Sequence, residues 1–237
     1  MPGSTSPPPP SVIELIRVLQ FGDSVLPVGA FSFSGGLESA VHEGIVRDRE
    51  TLRQFVRTAT RQAATGDGIA LIHAHRAARA DNLPRIMTID QAVVNRKLNE
   101  EIRTMTTRMG RKLAELCEHV RPDSIMAGWL AAIRAGATPG SYPVGQAVAF
   151  AGLGLGEPDA FVAHQYGVAS MLTGAALRLM RLDHLDAQTI LYDVNAAAAE
   201  DYADIHDTTL ADMHSFAPEA EIAAAIHLQA TVRMFMG

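Results

Sequence analysis

From Ile86 to Val120 the apolar residues Ile86, Ile89, Val93, Leu98, Ile102, Met105, Met109, Leu113, Leu116 and Val120 recur mostly at three- and four-residue steps, with Arg, Lys and Glu between them. Side chains three and four apart share a face of an α-helix, so the spacing predicts one long amphipathic helix, closed by Pro122. Lys97 and Glu101, and Arg111 and Glu115, fall at i,i+4 on its polar side. One step, from Val93 to Leu98, is five residues long.

The rest of the chain is punctuated in the same style. Ser11 with Glu14 three residues on is a capping box, followed by apolar residues that predict a first helix over about 12–20. The next stretch, Phe21 to Gly36, carries turn residues yet is apolar for a loop, and is expected to be packed down on the body of the protein. Ser34 is the expected cap of a helix through Leu37, Glu38, Ala40 and Val41 that ends near Gly44. Asp48 is expected to cap another through Leu52, Phe55, Val56 and Ala59. A short helix over Ile69 to Ala80 follows Gly66-Asp-Gly68 and stops at Asp81-Asn-Leu-Pro84. Further helices are expected at 123–135, 143–153, 157–181, 186–206 and 219–235. No repeat period and no flexible internal linker appears, so residues 11–237 are expected to form a single all-α, bundle-like domain of about ten helices.

Composition supports the helical reading. There are 38 alanines against 13 aromatics, and alanine is the best helix former. With Pro2 and Pro7 to Pro10, and no Lys or Arg ahead of an apolar core, residues 1–10 are expected to be a disordered tail and neither a signal nor a transit peptide. The formal net charge of -6 leaves no basic footprint for nucleic acid. The uncharged run 135–156 contains Pro139, Pro143 and six glycines, so it predicts a loop and a short buried helix; Ala160 to Leu177 contains His164, Gln165, Tyr166 and Ser170 and predicts a core helix. Neither is expected to enter a membrane. A single cysteine, Cys117, excludes an internal disulfide and fits a reducing, cytoplasmic setting.

The standard signatures of chemistry are missing. The chain has no phosphate-binding loop, and Gly152-Leu-Gly-Leu-Gly156 lacks a lysine and follows a predicted helix. There is no Gly-x-Ser-x-Gly elbow and no His-Glu-x-x-His. His73 and His75 point about 200° apart on a helix and cannot share an ion. Asp204, His206, Asp207, Asp212 and His214 are the densest set of metal-type ligands, and a helical metalloenzyme or metal-binding protein using Asp204, His206, Asp212 and His214 is the alternative to a solvated helix end. Cys117 lies on the apolar side of its helix, as a buried small hydrophobe does.

Leu26-Pro-Val-Gly-Ala-Phe-Ser-Phe-Ser-Gly-Gly-Leu-Glu38, preceded by an apolar helix and followed by one ending His-Glu-Gly, resembles the opening of the urease accessory protein UreF family. Tyr166-Gly167, the segment Ala175 to Gln188 and the closing His227 to Gly237 are similar to later parts of the same family. The chain departs from the family pattern at Arg181, Asp183 and His184, where Pro, Gly and Gln are usual, at Ala225-Ile226-His-Leu228, and at Gly237 in place of a terminal serine. The resemblance implies an all-α cytoplasmic chaperone with no enzymatic activity of its own. It implies a homodimer that binds a UreD/UreH scaffold and the GTPase UreG and docks on the urease apoprotein to deliver nickel. It also implies influence on the coupling of GTP hydrolysis, and nickel handled by the complex with no tightly held cofactor on this chain.

On this resemblance Phe31 and Phe33 either pack across a dimer or pin the loop to its own core. Tyr166 is a partner contact or a core tyrosine. Arg178 is a candidate contact for the GTPase or a gate, or a cation at a helix C-terminus. Arg233 suits bidentate pairing across an interface. Pro27, Gly29, Gly35 and Gly36 shape the loop, and Glu38 complements a helix N-terminus. The segment after about residue 210 is expected to be mobile alone and to order on the scaffold.

Overall fold

A computed structural model describes residues 11–23, 25–29 and 33–214. The expected tail at 1–10, Phe31, the helix at 219–235, Ile226 and Arg233 lie outside the described residues. Among those described there are eleven α-helices and no strand: α1 (Val12–Gly22), α2 (Leu37–His42), α3 (Arg49–Ala63), α4 (Ile69–Arg79), α5 (Leu83–Asn95), α6 (Glu100–Val120), α7 (Ser124–Arg134), α8 (Tyr142–Gly152), α9 (Glu157–Leu179), α10 (His184–Asn195) and α11 (Ala198–Ile205).

Capping behaves largely as the residue types dictate. Ser11 and Glu14 close their box, Ser11 N donating to Glu14 at 2.6 Å, and Asp48 accepts from Thr51 N at 2.8 Å. Asp183, one of the departures from the family pattern, caps α10 by accepting from Asp186 N at 2.7 Å. Ser34 is not the cap of α2. That helix starts at Leu37 after Gly35 and Gly36, whose φ of 55° and 83° are open to glycine at little cost, while Ser34 is fully buried and its carbonyl accepts from Leu37 N. Gly29 is also left-handed, at φ 90°. The loop is packed down as expected, with Val28 and Phe33 in the core.

Three joints differ from the spacing. The long helix is two, α5 and α6, separated at 96–99. A five-residue step turns Leu98 about 140° away from Val93, and Leu98 is 77% exposed. Asn99 starts a new helix by accepting from Glu101 N at 2.7 Å, and Arg103 Nη1 ties back the Lys97 carbonyl at 2.6 Å. The helix expected at 186–206 is likewise two, α10 and α11. Gly66-Asp-Gly68 is no break: Ala64–Gly68 forms a π-helical turn that joins α3 to α4 without interruption.

The buried residues form two clusters. One gathers α4 to α8 and the start of α9 around Trp129, Phe150 and Phe161; the other gathers α2, α3, α10 and the rest of α9 around Leu37, Leu52 and Leu172. Burying each such side chain contributes about 1.5–3 kcal/mol. At the centre of the first, α8 buries every residue from Pro143 to Ala151, as its lack of charge requires. Among the described residues no helix is long and apolar enough to cross a membrane.

Candidate functional site

A groove of about 340 Å³ runs along the seam between the two clusters. One wall is a single face of α9: His164, Gly167, Val168, Met171, Gly174 and Arg178 all line it. They stand at helical spacing over roughly 21 Å of axis. The other walls come from the 22–28 loop, α6, α8 and α10.

Two of the irregular joints supply the charges at its inner end. The π turn presents Asp67 and the α5–α6 break presents Lys97, whose Nζ stands 2.7 Å from Asp67 Oδ1. Lys97 is thereby drawn to Asp67 rather than to Glu101, while Arg111 and Glu115 do meet, at 3.1 Å. Unusual helical turns commonly sit where a side chain must be aimed.

His164 is buried beside this pair. Its Nδ1 donates to Gln146 Oε1 at 2.8 Å, which leaves Nε2 as a lone pair, and that atom has no hydrogen-bond partner among the described residues. Burial, the largest influence, holds the imidazole below its ordinary pKa, so it is neutral at pH 7.

A second polar centre is closed. Asp90 on α5 is fully buried and accepts from Thr138 Oγ1 (2.6 Å), Ser141 N (2.7 Å), Gly140 N (2.8 Å) and Trp129 Nε1 (3.3 Å), which fixes the loop leading into α8. Close by, a Cβ on Gly110 would overlap the Gly140 carbonyl oxygen.

The candidate residues are distributed as follows. Arg178 lines the groove, donates through Nε to the Gly174 carbonyl at 3.3 Å, and burial lowers its pKa. Tyr166 is on the partly exposed side of α9, Phe33 is buried in this chain's own core, Pro27 is exposed, and Glu38 is in the first turn of α2. Of these residues, Arg178 is the one among the groove's described lining. Asp67, Lys97, Gln146 and His164, none of them foreseen, do converge. The sequence signal for Lys97 was present: Asn99 followed by Glu100 and Glu101 is a cap with an acidic first turn.

Among the described residues no three His, Cys, Asp or Glu groups stand close enough to hold a metal ion. Asp204 pairs with Arg61 at 2.9 Å, His206 stacks on Tyr202 at 5.4 Å between ring centroids, and Asp212 accepts from Thr209 N at 2.7 Å. Cys117 is buried, which pushes its thiol up to about 12. His214, the last described residue, is held by its N–H to the Thr65 carbonyl at 3.1 Å.

On the surface, α1 keeps a row of apolar side chains in solvent. Val12 and Leu19 are 77% and 73% exposed, Ile13, Leu15 and Ile16 are about half exposed, and Val162 and Tyr166 are exposed on α9, against which α1 packs.

Helices throughout the described residues, a groove at the seam of their two clusters and an apolar outer helix define an all-α protein. The family model for UreF matches residues 46–195. The chain is 54% identical over 222 residues to proteins named urease accessory protein UreF 2 from Brucella canis and Brucella abortus, covering 94% of this chain and 91% of each relative. It is 50% identical over 224 residues to urease accessory protein UreF of Yersinia enterocolitica, covering 94% and 97%. The chain belongs to the UreF family.

Proposed function

We propose that this protein is an accessory chaperone for nickel insertion into apo-urease. It works in the cytoplasm as a homodimer, in a complex with a UreD/UreH scaffold and the GTPase UreG, and it influences how GTP hydrolysis is coupled to delivery. It catalyses no reaction itself; nickel is cargo of the assembly. The observation that carries this reading is identity of 54% with a urease accessory protein along almost the whole chain. The exposed apolar row on α1 supports it, because a solitary protein rarely leaves a contiguous apolar patch in water.

The test is complementation. In cells that carry a urease operon without its UreF gene, this chain restores urease activity and the nickel content of purified urease; no restoration overturns the reading. An Ile13→Asp, Leu19→Asp variant keeps its helical circular dichroism but loses co-purification with the UreD/UreH scaffold or with a second copy of the chain, which affinity capture and light scattering separate.

A further inference from the structure

Residues 213–214 are tied to both irregular joints at once. His214 N donates to the Thr65 carbonyl at 3.1 Å, and Thr65 Oγ1 donates back to the His214 carbonyl at 3.1 Å. One residue earlier, the Met213 carbonyl accepts from Arg96 Nε at 3.2 Å. Thr65 belongs to the π turn and Arg96 to the α5–α6 break, so residues 213–214 lie across the junction of the two. They rest directly on the turn: a Cβ on Gly66 would meet the His214 carbonyl oxygen at 3.7 Å.

The same two joints supply Asp67 and Lys97. Their pair lies on the groove side of the junction, with Lys97 Nζ 2.7 Å and 2.8 Å from the two carboxylate oxygens and the side chains 17% and 22% exposed. The two ends of the π turn are held by α9. Gln165 donates to the Thr60 carbonyl at 3.0 Å and accepts from Ala64 N at 3.2 Å, and Phe161 stands against Gly68. Between those holds, Thr65 and Asp67 take their long-range hydrogen bonds from His214 and Lys97. The hold of 213–214 is light. Met213 is buried, but Asp212 and His214 on either side of it are exposed, and both line an open cleft of about 680 Å³ between α3 and α11.

We propose that residues 213–214 are a strap that closes the inner end of the groove. Seated, it holds the π turn against the α5–α6 joint and keeps Asp67 on Lys97. Lifted by a partner that draws on residues 215–237, it lets the joints part and opens the pair to the groove. The device goes beyond the urease reading and is tested on the chain alone.

Lys97 and Lys112 are the only lysines in the chain, and Lys112 is exposed on α6. Acylation by sulfosuccinimidyl acetate, followed by peptide mass spectrometry, therefore reads the pair against an internal reference. In the native full-length protein Lys97 reacts more slowly than Lys112. Thr65→Val with His214→Pro removes both bonds to the turn, and Met213, at ψ 119°, accommodates a following proline. In this variant the rate at Lys97 rises about fivefold, the worth of one net hydrogen bond, and Lys112 is unchanged. Asp67→Asn marks the fully released rate. Asp48→Ala, which loses the cap at the far end of α3, leaves Lys97 at the native rate. Coupling is reciprocal, so Lys97→Met speeds amide hydrogen exchange at His214.

Equal rates at the two lysines of the native protein overturn the proposal, as does an unchanged Lys97 rate in the double variant. An equal rise in Asp48→Ala also overturns it, because the effect would then be general loosening; so does unaltered exchange at His214 in Lys97→Met. If the double variant does not fold, Thr65→Val alone decides by the same reading.

Discussion

Asp90 and His164 are buried polar groups that both meet α8, and the protein treats them in opposite ways. Asp90 accepts four hydrogen bonds, two of them from the backbone just before α8. His164 uses one nitrogen on Gln146 within α8 and leaves the other without a partner. The glycines nearby divide the same way: Gly110 is small because the Gly140 carbonyl leaves no room, whereas Gly167 and Gly174 face open space. A saturated polar group beside a crowded glycine marks a joint that holds the fold. A half-used polar group and uncrowded glycines line the groove along α9 instead.

The contrast predicts a descending series of effects. Asp90→Ala strands the Trp129, Thr138, Gly140 and Ser141 donors and lowers stability on the order of 4 kcal/mol, read from the urea midpoint; a loss below about 1 kcal/mol would remove Asp90 from its place in the comparison. Next comes pH. His164 and His75 are both held below the ordinary histidine pKa, chiefly by burial, with the His75 bond to the Leu155 carbonyl pulling the other way. The unfolded chain therefore takes up protons first once the pH drops below about 6.5, and stability present at neutral pH is lost going downward from there, at up to about 1.4 kcal/mol per pH unit for each histidine. A urea midpoint flat between pH 7.5 and 5.5 would contradict this, and His164→Gln should shallow the slope.

Smaller and of opposite sign, Gly167→Ala or Gly174→Ala should each raise stability by about 0.5–1 kcal/mol, whereas Gly110→Ala should lower it. Thermal unfolding of the three variants side by side tests the division between crowded and uncrowded glycines. Least of all, Arg111→Ala should change stability by less than about 0.5 kcal/mol, because its pair with Glu115 is solvent-exposed. A larger loss would place that pair in a wider network.

Most of the scaffold was legible from local signals. Ser11, Asp48 and the uncharged run around α8 announced their elements because caps and buried helices are written in adjacent residues. The joints were harder to read. Gly66 and Gly68 resemble punctuation, yet the chain continues through them because α9 comes so close, with Phe161 against Gly68, that packing overrides propensity. The break at 96–99 hid inside an almost regular spacing. The groove was the least legible part, since Asp67, Lys97, Gln146 and His164 come from four elements and no local pattern joins them; of its lining, Arg178 alone was singled out in advance. Where sequence and fold disagree most, at the π turn and the split helix, the disagreement supplies the charged end of the groove.

The π turn also constrains how this gene can vary. It makes α3, Ala64–Gly68 and α4 one continuous rod, with Leu52 and Val56 committed to one core and Leu71 and Ile72 to the other. Each residue of a helix advances the side chains by about 100° around its axis. Removal of a single residue from 64–68 would leave the rod helical and rotate α4 by that angle relative to α3, so that both hydrophobic faces could not be seated at once. A one-residue deletion here is therefore a change of helical phase, more disruptive than most substitutions along the rod, although it falls in the stretch where two glycines would suggest that length is free to drift.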